Sequence, residues 1–242
     1  MAVFYAVSTG PGDSELICLK AVRVLKACEI IFYPESKKET IALDSLSCLG
    51  NEIDLEHKTL VPCSFSMTSD KKKSELEYEA IAARCVKFLQ DGKSVAMLSI
   101  GDVSLYSTAG RTARIIKNSG FEVEFVAGVN SFSAAACSSS LSLCEKDESL
   151  SVIPADAFFK SGKLESALKS DGTKVLMKMG HHLKEIILLL GKLDLIQNAT
   201  LVQKASLPDE KIFYGEEILS MSERDFENAY LSVLILKTEN PV

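Results

Sequence analysis

The 242-residue chain has no tryptophan, only three histidines and six prolines, and no apolar run long enough to cross a bilayer. Each shortage excludes something. The most apolar stretch, EIILLLGKLDLI from Glu185 to Ile196, is broken by Lys192 and Asp194 and falls short of the roughly 20 residues a spanning helix needs, so no membrane partner is expected. The opening MAVFYAVSTGPGD lacks a basic segment and a long apolar core, so no signal peptide is expected. The seven cysteines are odd in number and none has C-x-x-C spacing, which reads as reduced thiols of a cytoplasmic protein, with neither a disulfide frame nor a zinc site. His181 and His182 are adjacent and would point about 100° apart on a helix, and His57 has no partner near it in sequence, so no protein-bound metal is expected. A net charge of −6 argues against nucleic acid as a partner, although a few placed basic residues can still serve an acidic small molecule. Standard catalytic signatures are missing too. Gly10 and Gly12 begin a G-x-G-x-x-G pattern, but Glu15 takes its third glycine and would repel a pyrophosphate. There is no G-x-x-x-x-G-K-[ST], no G-x-S-x-G elbow and no H-E-x-x-H.

What is present is alternation. Short β-prone apolar runs occur at 3–7, 29–33, 94–100, 122–127, 150–153, 174–177, 200–203 and 230–236. Between them lie stretches with helical spacing at 14–27, 74–90, 106–118, 131–140 and 183–190. Strands that alternate with helices imply an α/β fold with parallel pairing through crossovers. The length suits one large domain or two of about 120 residues. The best junction is near Gly128, dividing 1–127 from 128–242.

Four strand-end segments are candidates for ligand contact, because loops at the carboxyl ends of α/β strands line the crevice. Ser8 to Asp13 is a glycine turn, or simply a strand-to-helix connection. In Ser99 to Thr108, Gly101 permits close approach, and Asp102 either binds a ribose or amine or caps the next helix. Ala127 to Ser133 is small and polar, with Asn130 or Ser131 as alternative caps. Lys178 to His182 follows a strand of the second half.

Together these segments resemble the tetrapyrrole methylase family. The likeness rests on Gly10-Pro11-Gly12-Asp13 with Leu16 and Leu19-Lys20-Ala21, on Gly101-Asp102 with Ser104-Tyr106-Ser107-Thr108, on Gly128-Val129 with Ser131-Phe132, and on Lys178-Met179-Gly180. Within the family, the stretches 65–70, 101–108 and 130–136 resemble the branch that methylates carbon 20 of precorrin-2 or cobalt-factor II. Four positions depart from the family pattern, among them Asn130, where Ser or Thr is more usual. Ser8 stands at the usual first glycine, Val103 at the proline after Gly-Asp, and Ala127 at the proline before Gly-Val.

The resemblance implies two α/β/α domains with S-adenosylmethionine held between them, in a cytoplasmic homodimer. It places Gly101, Asp102, Ser104 and Tyr106 on the methionine part of the cofactor, with Ser131 and Phe132 beside it, and Met179 and Ala205 near the ribose and adenine. Gly10, Pro11, Gly12 and Asp13 would face a tetrapyrrole, with or without cobalt in its ring. Arg111, Arg114, Lys160 and Lys204 are candidates for its carboxylates, Arg111 first. No residue stands out as a proton acceptor. The alternatives are action at another tetrapyrrole carbon, on RNA or on diphthine, or a non-catalytic cofactor-binding module.

Overall fold

The computed structural model describes residues 2–35, 40–50, 52–66, 70–227 and 229–237. Met67, Thr68 and Ser69, part of the 65–70 stretch, lie outside them. The chain forms two compact units, Met1–Asn130 and Ser131–Val242.

The first unit contains β1 (Val3–Ser8), α1 (Leu19–Ala27), β2 (Ile30–Glu35), α2 (Ile41–Asp44), β3 (Thr59–Ser64), α3 (Lys71–Gln90), β4 (Val95–Ser99), α4 (Thr108–Asn118) and β5 (Glu122–Val126). The sheet order is β3-β2-β4-β1-β5, with every pair parallel. Such a sheet must be covered on both faces, and its inner strands β2, β4 and β1 are accordingly apolar on both. Phe4, Phe32 and Met97 point to the face where Ala82, Cys85, Ala109 and Ala113 of α3 and α4 pack. Val7, Ile31 and Leu98 point to the other face, against Ala21 and Leu25 of α1 and Ala42 of α2. Burial of each large side chain contributes about 1.5–3 kcal/mol.

Two expectations needed correction here. The helix expected over 14–27 is in two pieces. A 3₁₀ turn, Ser14–Leu16, is capped by Asp13, whose carboxylate accepts the Glu15 N–H, and the α-helix begins only at Leu19. Strand β2 also continues through Pro34. Its pairing with β4 covers only Ile30 to Phe32, so beyond Phe32 only the β3 side is hydrogen-bonded and the missing proline N–H is tolerated.

The second unit contains α5 (Ser131–Ser138), β6 (Leu150–Pro154), α6 (Ala155–Lys160), α7 (Leu164–Leu168), β7 (Thr173–Met177), α8 (Leu183–Lys192), β8 (Ala199–Gln203), β9 (Lys211–Tyr214), α9 (Glu223–Glu227) and β10 (Ser232–Leu236). Its sheet order is β6-β7-β10-β8-β9. This sheet is not all parallel, as alternation alone would suggest. β6 and β7 are parallel, but β10 runs antiparallel to β7 and β8, and β8 pairs antiparallel with β9. The all-buried strand β10 lies at the centre, and Ile153, Leu176, Leu183, Ile186, Leu190, Leu201 and Leu234 form the core. Among the described residues no helix is long and apolar enough to cross a membrane.

Candidate functional site

In the first unit, β4, β1 and β5 are neighbours pointing the same way, so the loops leaving their carboxyl ends share one edge. The chain leaves β1 through α1 toward β2 on one face, and leaves β4 through α4 toward β5 on the other. Adjacent strands whose connections depart on opposite faces open a crevice at their carboxyl ends, the usual ligand position in an open α/β sheet.

The loops are tied together there. Gly10 and Gly101 form an isolated antiparallel bridge, with the Gly101 N–H donating to Gly10 O at 2.6 Å. Both lie in the left-handed region, at φ +72° and +73°. A Cβ at Gly10 would stand 2.8 Å from Leu16 O, so that glycine is required by packing within the unit itself. Gly128 is equally constrained, since its Cβ would come within 2.4 Å of Ser8 Cβ.

Asp102 does not cap α4. Ser107 does, accepting the Gly110 N–H. The Asp102 carboxylate turns inward instead. One oxygen accepts from the Ser104 N–H at 2.9 Å and from the Ser104 hydroxyl, and the other accepts from the Gly128 N–H at 2.7 Å. Burial raises the pKa of a carboxyl, but these donors outweigh it and hold Asp102 below its ordinary range. An ionised Asp102 therefore clasps the β4 loop to the β5 loop. Ser8 adds a second tie that the sequence did not reveal. Fully buried, its hydroxyl donates to Val126 O at 2.6 Å and accepts the Val103 N–H at 2.8 Å.

Beyond the clasp the loop opens to solvent. Ser104 and Tyr106 are exposed, and Tyr106 holds φ +51°, a strained conformation for a bulky residue. Beside them is a pocket of about 480 Å³ lined by Tyr78, Val103, Tyr106, Arg111, Arg114 and Phe125, among others. The Arg111 guanidinium lies 4.3 Å from the centroid of the Tyr78 ring. Pro11 is buried, while Gly12 and Asp13 are half-buried at the same sheet edge.

The remaining sequence candidates belong to the second unit. Ser131 and Phe132 start α5 and are half-buried. The Met179 side chain is part of the core, so only its backbone is available to a ligand, and Ala205 is buried just beyond β8. His182 Nδ1 lies 2.6 Å from Asp156 Oδ1, and the imidazole stacks on Phe159. Lys160 is spent on Asp156 and Lys204 on Asp209. Among the described residues no group of three His, Cys, Asp or Glu side chains is placed to hold a metal.

A sulfonium cofactor has an ammonium, a carboxylate and a ribose to satisfy. Of the residues that the resemblance assigns to the cofactor, Gly101 and Ser104 sit at this strand edge, where Gly101 has no side chain to keep a ligand from the backbone.

Known proteins agree with this architecture. The chain is 33% identical over 238 residues to a probable cobalt-precorrin-2 C(20)-methyltransferase of Methanocaldococcus jannaschii, covering 96% of this chain and 95% of that one. It is 30% identical over 212 residues to the cobalt-precorrin-2 C(20)-methyltransferase of Salmonella typhimurium, covering 86% and 85%. Its fold matches a uroporphyrin-III C-methyltransferase from Thermus thermophilus, solved with S-adenosyl homocysteine, at a TM-score of 0.67 and 22% identity over 98% of both chains. The model of the tetrapyrrole (corrin/porphyrin) methylases matches residues 3–217. This chain belongs to the tetrapyrrole methylase family.

Proposed function

We propose that this protein transfers a methyl group from S-adenosylmethionine to carbon 20 of precorrin-2 or of its cobalt form, in corrin biosynthesis. The observation that carries the reading is the 33% identity to a probable cobalt-precorrin-2 C(20)-methyltransferase over nearly the whole of both chains. The family match and a fold shared with an enzyme solved with S-adenosyl homocysteine support the cofactor. When bound, that cofactor supplies a methyl carbon that is already electrophilic.

The work left to the protein is alignment and exclusion of water, and alignment alone supplies up to about 7–11 kcal/mol in favourable cases. Asp102 serves this by fixing the loop through two backbone N–H groups and the Ser104 hydroxyl, so the carboxylate is taken up by the loop and does not act as a base. In the first unit, Gly101, Asp102, Ser104 and Tyr106 contact the methionine part of the cofactor, while Gly10, Pro11, Gly12, Asp13 and Arg111 face the tetrapyrrole. In the second, Ser131, Phe132, Met179 and Ala205 contact the cofactor, Met179 through its backbone. The protein works in the cytoplasm as a homodimer. The test offers precorrin-2 and cobalt-precorrin-2 separately with methyl-labelled cofactor and locates the label by NMR. A new methyl on carbon 20 is expected, and a methyl on any other carbon refutes the assignment.

A further inference from the structure

The four basic candidates for the substrate's carboxylates do not remain equal once their partners are known. Lys160 and Lys204 are neutralised by Asp156 and Asp209. Arg111 and Arg114 form no ion pair among the described residues. Both line the pocket beside the Gly101–Ser107 loop. The two serine hydroxyls there are occupied. The Ser104 hydroxyl donates to Asp102, and the Ser107 hydroxyl is engaged by Ser99 and by the Gly110 N–H. The two guanidiniums are thus the charged donors left facing the pocket, beside the neutral hydroxyls of Tyr78 and Tyr106.

Their spacing is specific. Three residues apart on α4, they share a helix face with Cβ atoms about 5–6 Å apart. The Tyr78 ring, itself packed on Phe65, supports the Arg111 guanidinium. Gly110 lets α4 close onto the loop, since a Cβ there would stand 3.0 Å from Val103 O. The exposed rings of Tyr106 and Phe125 offer flat apolar surface beside the two charges.

We propose that this pocket is a dicarboxylate subsite that grips the neighbouring acetate and propionate of one pyrrole ring, with Arg111 and Arg114 each taking one carboxylate through the guanidinium fork. The inference rests on the function proposed above and adds to it a second anchor and the residue that supplies it. The subsite holds the macrocycle by its rim, and binding of this kind is equal in the ground and transition states, so it acts on KM. Arg in preference to Lys matters, because the planar fork matches a carboxylate in two bonds.

The test uses the full chain and its Arg111→Gln, Arg114→Gln and doubly substituted forms, with Arg111→Lys as the charge-conserving control. Three quantities are read: KM and kcat for methyl transfer to the tetrapyrrole, fluorescence-titrated affinity for uroporphyrin, and calorimetric affinity for S-adenosylmethionine. Uroporphyrin carries acetate and propionate on every ring and needs no turnover. Each glutamine variant is expected to weaken tetrapyrrole binding and raise KM about tenfold, the loss expected of one charge-assisted pair. The value of kcat stays close to wild type, cofactor affinity is unchanged, Arg111→Lys recovers part of the loss, and added salt narrows the gap.

Unchanged KM and unchanged uroporphyrin affinity in the double variant overturn the subsite. So does a loss confined to S-adenosylmethionine, which would assign the guanidiniums to the cofactor's own carboxylate. A change in sedimentation with tetrapyrrole affinity intact also overturns it, by making this surface an interface between copies. Arginine-dependent uroporphyrin binding with no methyl transfer by the wild type supports the subsite while refuting the proposed reaction.

Discussion

Replacing Ser8 by alanine removes one oxygen atom and disturbs two loops at once. The hydroxyl accepts the Val103 N–H and donates to Val126 O, in a position with no solvent access. Its loss strands the Val103 N–H where water cannot replace the partner, at a cost of about 1–3 kcal/mol, and the lost bond to Val126 adds about 1. The total of about 2–4 kcal/mol corresponds to a fall of roughly 5–10 °C in Tm for a chain of this size. A second substitution isolates the cause. Val103→Pro deletes the N–H itself, and proline is the residue the family pattern places there. In the Ser8→Ala background it should recover most of the stranded-donor cost, so the two substitutions together destabilise less than the sum of each alone. A double-mutant cycle followed by circular dichroism in urea measures this coupling, expected at about 1–2 kcal/mol. Strict additivity would refute the reasoning, because it would mean that the Val103 N–H does not depend on Ser8.

Gly101→Val is expected to abolish S-adenosylmethionine binding while the protein stays folded, since a β-branched residue resists φ +73° and would distort the loop tied to Gly10. Calorimetric titration checks it, and wild-type affinity would place the cofactor elsewhere. Asp225 supplies a pH test in the second unit. Its hydrogen bond from Lys211, then that from Ser222, holds its pKa down at about 2. A carboxyl lowered from an unfolded value near 4 contributes stability that is present above about pH 4 and lost as pH falls through about 2. Asp225→Asn is therefore expected to be less stable than wild type at neutral pH, with the difference shrinking in acid. A difference that does not change with pH would show that the carboxylate's charge is not what stabilises this corner.

The parts of the fold that were legible are those written in short-range pattern. The apolar runs of β1, β4 and β10 are mostly or wholly buried, so they stand out against their polar flanks, and the loops after β1 and β4 could be found by position alone. Strand β3, TLVPCS, was missed because its outward residues are exposed and a proline interrupts it. The four-residue β9 was missed because it is short and only half-buried, and its place is set by a hairpin with β8 through a turn where Lys204 and Ser206 take positive φ. The site divides in the same way. That Gly101 and Asp102 lie in a strand-end loop was readable from the strand and glycine before the helix. That Asp102 binds Gly128 was not, because the partners are 26 residues apart, and the two partners of Ser8 lie 95 and 118 residues away. Among the four basic candidates the arginines were preferred for their planar fork, but that Lys160 and Lys204 are taken up by Asp156 and Asp209 could not be read from the letters.

The Ser8–Val103 bond also sets the order in which this corner can be rebuilt. Starting from the family's glycine and proline, the two replacements are not interchangeable in order. Serine can arrive first, because its hydroxyl finds Val126 O whether or not residue 103 has an N–H. Valine arriving first would leave a buried amide with nothing to bond. Whoever rebuilds this corner thus has one safe order, since serine before valine leaves every buried donor paired at each step and valine before serine does not.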